Sequence, residues 1–159
     1  MRKQLTRISI LAVALVAAVS LEPARAPSAD LRAAEPPPAL AITEGKTPQG
    51  FPYLFGGVSS DEREAIEARA KGYNVKLIFA EKNGPFVAGV TVTIADTKGV
   101  EIASVATDGP WFLIFLPPGQ YNVKATFQGQ TKEVKSLTVR KNEIVRQTLV
   151  WDLGRGGGP

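Results

Sequence analysis

The chain has 159 residues, with 19 Lys and Arg against 15 Asp and Glu, no cysteine and no histidine. Without cysteine there are no disulfides, no thiolate nucleophile and no Cys metal site. Without histidine the Ser-His-Asp and Cys-His pairs, imidazole general bases and the usual zinc or copper ligand sets are also excluded.

Residues 1–26 read as a secretory signal peptide. Arg2, Lys3 and Arg7 precede an apolar run from Ile8 to Val19, which is shorter than the roughly 20 residues of a membrane span. The expectation is an exported protein, periplasmic or secreted, with no stable membrane span after cleavage. Arg2, Lys3, Arg7 and Arg25 stand against Glu22 in this leader, which leaves 15 basic and 14 acidic residues in the rest. A near-neutral remainder carries no electrostatic footprint for nucleic acid.

Residues 27–50 are rich in Ala and Pro and have no period, as expected of a disordered tether. Residues 51–72 follow as an arm and a helix. Phe51, Tyr53 and Phe55 crowd a stretch broken by Pro52, Gly56 and Gly57. The arm is expected to pack on its own domain, with docking to another chain as the alternative. Ser59 with Glu62 three residues on is a capping box that starts the helix, and Gly72 stops it. The helix has only Ala65, Ile66, Ala68 and Ala70 to bury.

From Tyr73 the period changes to two. Strands are expected around Val75–Phe79, Val90–Ile94, Val100–Thr107, Trp111–Leu116, Tyr121–Phe127, Thr131–Val139 and Ile144–Trp151, separated by turn residues such as Asn83-Gly84-Pro85 and Asp96-Thr97-Lys98-Gly99. Seven short strands with regular turn signals describe an all-β sandwich with one short N-terminal helix, over residues 73–152, and a flexible tail over 153–159. The predicted core is Val75, Leu77, Phe79, Val90, Val92, Ile94, Val105, Trp111, Leu113, Leu116, Tyr121, Val123, Phe127, Val134, Leu137, Val139 and Leu149. Between Trp111–Leu116 and Tyr121–Phe127 lies Leu116-Pro117-Pro118-Gly119-Gln120-Tyr121. Pro118 and Gly119 suit the central positions of a type II turn, so the two flanking runs are expected to fold back and pair. Pro117, Pro118, Gly119 and Tyr121 are its structural corner.

Three stretches resemble the carboxypeptidase regulatory-like domain, a seven-stranded transthyretin-like (prealbumin-like) sandwich. Gly84-Pro85-Phe86-Val87-Ala88-Gly89-Val90-Thr91-Val92 is similar to that family's "G-x-P-x-x-G-V-x-V" stretch. Thr107-Asp108-Gly109-Pro110-Trp111-Phe112-Leu113 is similar to its "T-D-x-x-G-x-F-x-F", but two residues shorter between Asp and Gly. Leu116-Pro117-Pro118-Gly119-Gln120-Tyr121-Asn122-Val123 matches "L-P-P-G-x-Y-x-V". On this alignment Trp111 and Leu113 point inward. Phe112 and Ile114 then face the far side of the sheet, covered by the helix and arm or left as an interface. The resemblance implies an accessory module without catalysis or cofactor.

The expectation is therefore a non-enzymatic envelope module that binds or scaffolds a protein partner, with Phe51, Tyr53, Phe55, Phe112 and Ile114 as candidate interface residues. Two alternatives remain. A carbohydrate or small-ligand binder requires Trp111 or Trp151 exposed in a groove. A small carboxylate hydrolase requires two acids facing each other in one pocket.

Overall fold

The computed structural model describes residues 39–82 and 84–153. The leader, residues 27–38 of the tether, Asn83 and residues 154–159 of the tail lie outside the described residues. The described chain is an all-β sandwich. One sheet is ordered β1 (Thr43–Lys46), β2 (Pro52–Gly56), β6 (Trp111–Ile114), β3 (Val75–Glu81), β9 (Val145–Trp151). The other is ordered β5 (Glu101–Thr107), β4 (Val90–Asp96), β7 (Gly119–Phe127), β8 (Gln130–Val139). Every pairing is antiparallel except β3 with β9.

The seven expected strands are β3 to β9, and two more make nine among the described residues. The expected tether ends early: Thr43–Lys46 is an edge strand, and Pro52–Gly56 of the arm pairs it to β6. Thr47 closes this hairpin. Its Oγ1 accepts from the Phe51 amide at 3.1 Å and its carbonyl accepts from the Gly50 amide at 2.8 Å, with Gly50 at φ +87°. Proline is tolerated at the first residue of a strand, where a missing N–H breaks no ladder bond. Pro52 sits there, and its carbonyl accepts from Phe115 at 3.0 Å.

The core between the sheets contains all the predicted aliphatic positions of β3, β4 and β7, together with Leu116, Leu137, Val139 and Leu149. Val105, Phe127 and Val134 pack on it half-buried. Trp151 is fully buried, edge-on to Phe79 and Phe127, and its Nε1 donates to the Gln130 carbonyl at 3.0 Å. That bond satisfies the one polar atom of a large apolar side chain, so its burial stabilises by the usual few kcal/mol (~3) without a desolvation penalty.

The facing of β6 is the reverse of the expectation. Phe112 sits across from Leu77 and Phe55, and Ile114 across from Val75 and Tyr53. Both are buried in the sandwich core, while Trp111 and Leu113 turn to the outside of the sheet. Trp-Phe-Leu-Ile is apolar on both phases, so alternation along the strand cannot choose a face. The partners' register does so.

The corner also differs. β6 and β7 belong to different sheets and do not pair, so Leu116 to Pro118 is a crossover from one sheet to the other. Gly119 has no positive φ and simply begins β7, so no type II turn forms. Tyr121 holds the crossover instead. Its hydroxyl donates to the Pro117 carbonyl at 2.7 Å, a tyrosine-corner arrangement that fixes a chain changing sheets.

Candidate functional site

The helix α1 (Ser60–Arg69), continued by one 3-10 turn (Ala70–Gly72), lies on the outside of the five-stranded sheet. Ser59 caps it, with Oγ accepting from the Glu62 amide at 3.1 Å. The capping-box acid reaches further than its own N-cap. Glu62 Oε2 accepts from the amides of Val58 at 2.8 Å and Gly57 at 3.0 Å, and Oε1 accepts from Ala41 at 3.2 Å. Burial alone would raise this carboxyl, but the backbone donors of Val58 and Ala41, with those of Ser59 and Gly57, hold it below its ordinary value. One carboxylate thus ties the helix start, the end of β2 and the incoming chain together.

Strand register lays out the sheet face that the helix shares. One row is Leu54, Leu113, Lys76 and Arg146; the next is Gly56, Trp111, Ile78 and Thr148; beyond it come Phe86, Ala80 and Val150. Ile66 of α1 packs on Leu54 and Leu113, with Ile42, Ala70, Tyr73 and Trp111 around them. Lys76 is buried beneath the helix. It is ion-paired with Glu67, and its Nζ is 3.4 Å from the centre of the Trp111 ring. The ion pair and the cation–π contact together account for a buried ammonium. Among the described residues Trp111 Nε1 is buried without a hydrogen-bond partner.

Helix cover stops there. Phe86 is 50% exposed and Val150 42%, with half-buried Ala80 between them and half-buried Ile78 beside them. Arg63 stands over the Phe86 ring at 5.7 Å and donates to the carbonyls of Gly57 (2.9 Å) and Val58 (3.0 Å). Arg146 lies exposed in the row of Lys76, one row from Ile78 and two from Val150. Neither arginine is ion-paired with a described residue. The result is an exposed apolar surface with the Arg63 and Arg146 guanidinium groups near it.

The residues expected to form the interface are elsewhere. Phe55, Phe112 and Ile114 are buried in the sandwich core, and Phe51 and Tyr53 pack half-buried against it. Tyr53 stacks on Phe55 and Phe112, with ring centres 6.4 and 5.8 Å away. Phe55, Phe112 and Ile114 offer no free surface, whereas Phe51 and Tyr53 keep part of theirs. The corner residues Pro117, Pro118, Gly119 and Tyr121 carry the crossover. Phe86, Ile78, Ala80 and Val150 went unread because Ile78 and Ala80 fall on the polar phase of β3 and Val150 sits inside a continuous apolar run.

Neither indole is a free platform. Trp151 is fully buried, and Trp111 lies between the Lys76 ammonium and the Gly57 backbone. Two acids, Glu101 and Glu133, do line one groove of about 300 Å³ on the outer face of the four-stranded sheet, with Lys124 3.6 Å from Glu133. Both are exposed, so nothing excludes water from them as acid catalysis by a poised carboxyl requires. Among the described residues no helix is long and apolar enough to cross a membrane. No family model, curated protein or solved structure matches the chain.

Proposed function

We propose that this chain is a non-catalytic accessory module of the cell envelope, exported and then docked on a protein partner, and that its sandwich is of the carboxypeptidase regulatory-like, transthyretin-like kind. The motif stretches support the family reading. The Gly84–Val92 stretch leads into β4, the Thr107–Leu113 stretch leads into β6, and the Leu116–Val123 stretch is the crossover with its tyrosine.

The observation that carries the binding reading is the half of the sheet face that α1 leaves open: Phe86, Ala80, Val150 and Ile78 with Arg63 and Arg146. Isolated exposed apolar groups are ordinary, but a contiguous set beside an ordered helix with unpaired cations has the make-up of an interface centre and rim. The partner is one that brings apolar side chains flanked by Asp or Glu.

The test compares capture from an envelope fraction by the wild-type protein and by Phe86→Glu and Val150→Glu. Both positions are exposed, so both variants should keep their thermal midpoint within a few degrees, about 4 °C. Loss of the same captured protein in both is the expected result. Undiminished capture by both would sink the assignment of this face.

A further inference from the structure

A second surface differs from this one in kind: the free edge of β5. Each sheet of a sandwich ends in two strands whose outward N–H and C=O groups can template another strand, and proteins normally protect them. Three of the four edges here are protected. β1 has four residues, with Glu44 and Lys46 among them, and Glu44 is bonded to Arg69. β8 carries Lys132, Glu133 and Lys135, is irregular where it passes Tyr121 to Val123, and has Ser136 at φ +56°. β9 packs beside β8, where Trp151 bonds Gln130.

β5 has such devices only over its first two residues, Glu101 and Ile102. Its seven residues contain one charge, Glu101, at the first position, and no proline. Gln49 Nε2 donates to the Glu101 carbonyl at 3.1 Å. Beyond that, among the described residues no group hydrogen-bonds the backbone of Ile102 to Ala106 from the open side. The irregularity of this pair falls on β5 itself, where Ile102 is passed over between Ala103 (opposite Ile94) and Glu101 (opposite Ala95), and it leaves Ala103 to Thr107 regular.

The geometry points to a second copy of this chain as the occupant, with β5 pairing antiparallel to β5 about a two-fold axis through Ser104 and joining two four-stranded sheets into one. The sequence of the strand is self-complementary in that register. On the core side Val105, half-buried in the single chain, falls beside the small Ala103 of the other copy. On the outer side Ser104 meets Ser104, and the exposed Ala106 is also small. Glu101, the one charge of the strand, lies beyond the irregularity at Ile102, so no like charges face each other across the regular residues Ala103 to Val105. An isologous contact of this kind closes on itself, which limits the edge to a dimer.

The chain has no cysteine, so a single introduced thiol reports the contact. Directly opposed residues of an antiparallel pair lie within disulfide reach. Under mild oxidation Ser104→Cys should give a covalent dimer roughly ten times faster or more than Thr138→Cys on the opposite edge, because pairing raises the local thiol concentration. In sedimentation from about 1 µM to about 1 mM, across the usual range of a small interface, the wild-type mass should rise towards the dimer. Ser104→Lys, which places lysine against lysine, should stay monomeric. A wild-type mass that stays monomeric throughout overturns the proposal. So does a Ser104→Lys dimer equal to wild type, as pairing through the apolar sheet face would give. So does equal cross-linking of the two cysteine variants.

Discussion

Replacing Glu62 by alanine removes the acceptor of three backbone amides at once. Gly57 is buried, so its N–H is left without water, whereas Val58 and Ala41 are exposed and can be rehydrated. A hydrogen bond to a charged group contributes about 1.5–3 kcal/mol, and an orphaned buried donor costs at the upper end. Counting Gly57 in full and the other two at a fraction gives a loss of about 3–4 kcal/mol. For a domain of this size that is a fall in thermal midpoint of about 12–16 °C. Glu62→Gln keeps one acceptor oxygen and should lose about 1–2 kcal/mol. Calorimetry or urea unfolding measures both. The sign with pH is also set. The folded carboxyl lies below its unfolded value, so its contribution is fully present above the unfolded value and is lost as the pH falls through the folded one. The gap between wild type and Glu62→Ala should be constant from neutral pH down to about 5 and should narrow below about 4. A loss under about 1 kcal/mol for Glu62→Ala, or a gap that widens in acid, would refute the clamp.

Other residues make sharp cases. Gly109→Ala would drive its Cβ into the Gly56 carbonyl, a backbone group, so it should cost about 3 kcal/mol or more or prevent folding, while Gly72→Ala, with open space around it, should be nearly neutral by thermal melt. Lys76→Met exchanges a buried ion pair for an apolar side chain of similar length, and its unfolding midpoint should equal or exceed wild type. Lys76→Ala, which leaves a void under the helix, should lose about 2 kcal/mol or more in the same assay. Tyr121→Phe deletes only the bond to the Pro117 carbonyl and should cost about 1 kcal/mol in urea unfolding.

The sandwich was legible wherever a strand alternates. Val75, Leu77 and Phe79, or Val90, Val92 and Ile94, state both the period and the face, and all six are buried. The capping box was equally plain, since Ser59 and Glu62 both act at the helix start. What failed lacks that signal. Thr43-Glu44-Gly45-Lys46 has no apolar residue, and becomes a strand only because β2 pairs it. The turn Thr47-Pro48-Gln49-Gly50 was readable, and would have marked a hairpin had its chemistry been weighed over the composition around it. Pro118-Gly119 was over-read: the pair permits a tight turn, but the Tyr121 hydroxyl on Pro117 commits the chain to cross between sheets.

The candidate site follows from a feature that was in view without its consequence. A helix of ten residues is about 15 Å long, and this one offers a single large apolar side chain, Ile66. The five-stranded sheet beneath it is about 19 Å across, at ~4.8 Å per strand. Ile66 and the small alanines can bury the row through Leu54 and Leu113, and the Glu62 clamp pins the helix at the β2 side of the sheet. Lys76 and Glu67 then occupy the next space with charge, so the cover cannot extend sideways over Ile78, Ala80 and Val150. Because β6 turns Phe112 and Ile114 inward, the apolar groups left over on the outer face are Ile78 and Ala80 of β3, Val150 of β9 and Phe86. The thin stripe of the helix therefore leaves Ile78, Ala80, Val150 and Phe86 uncovered on the same face of the sheet.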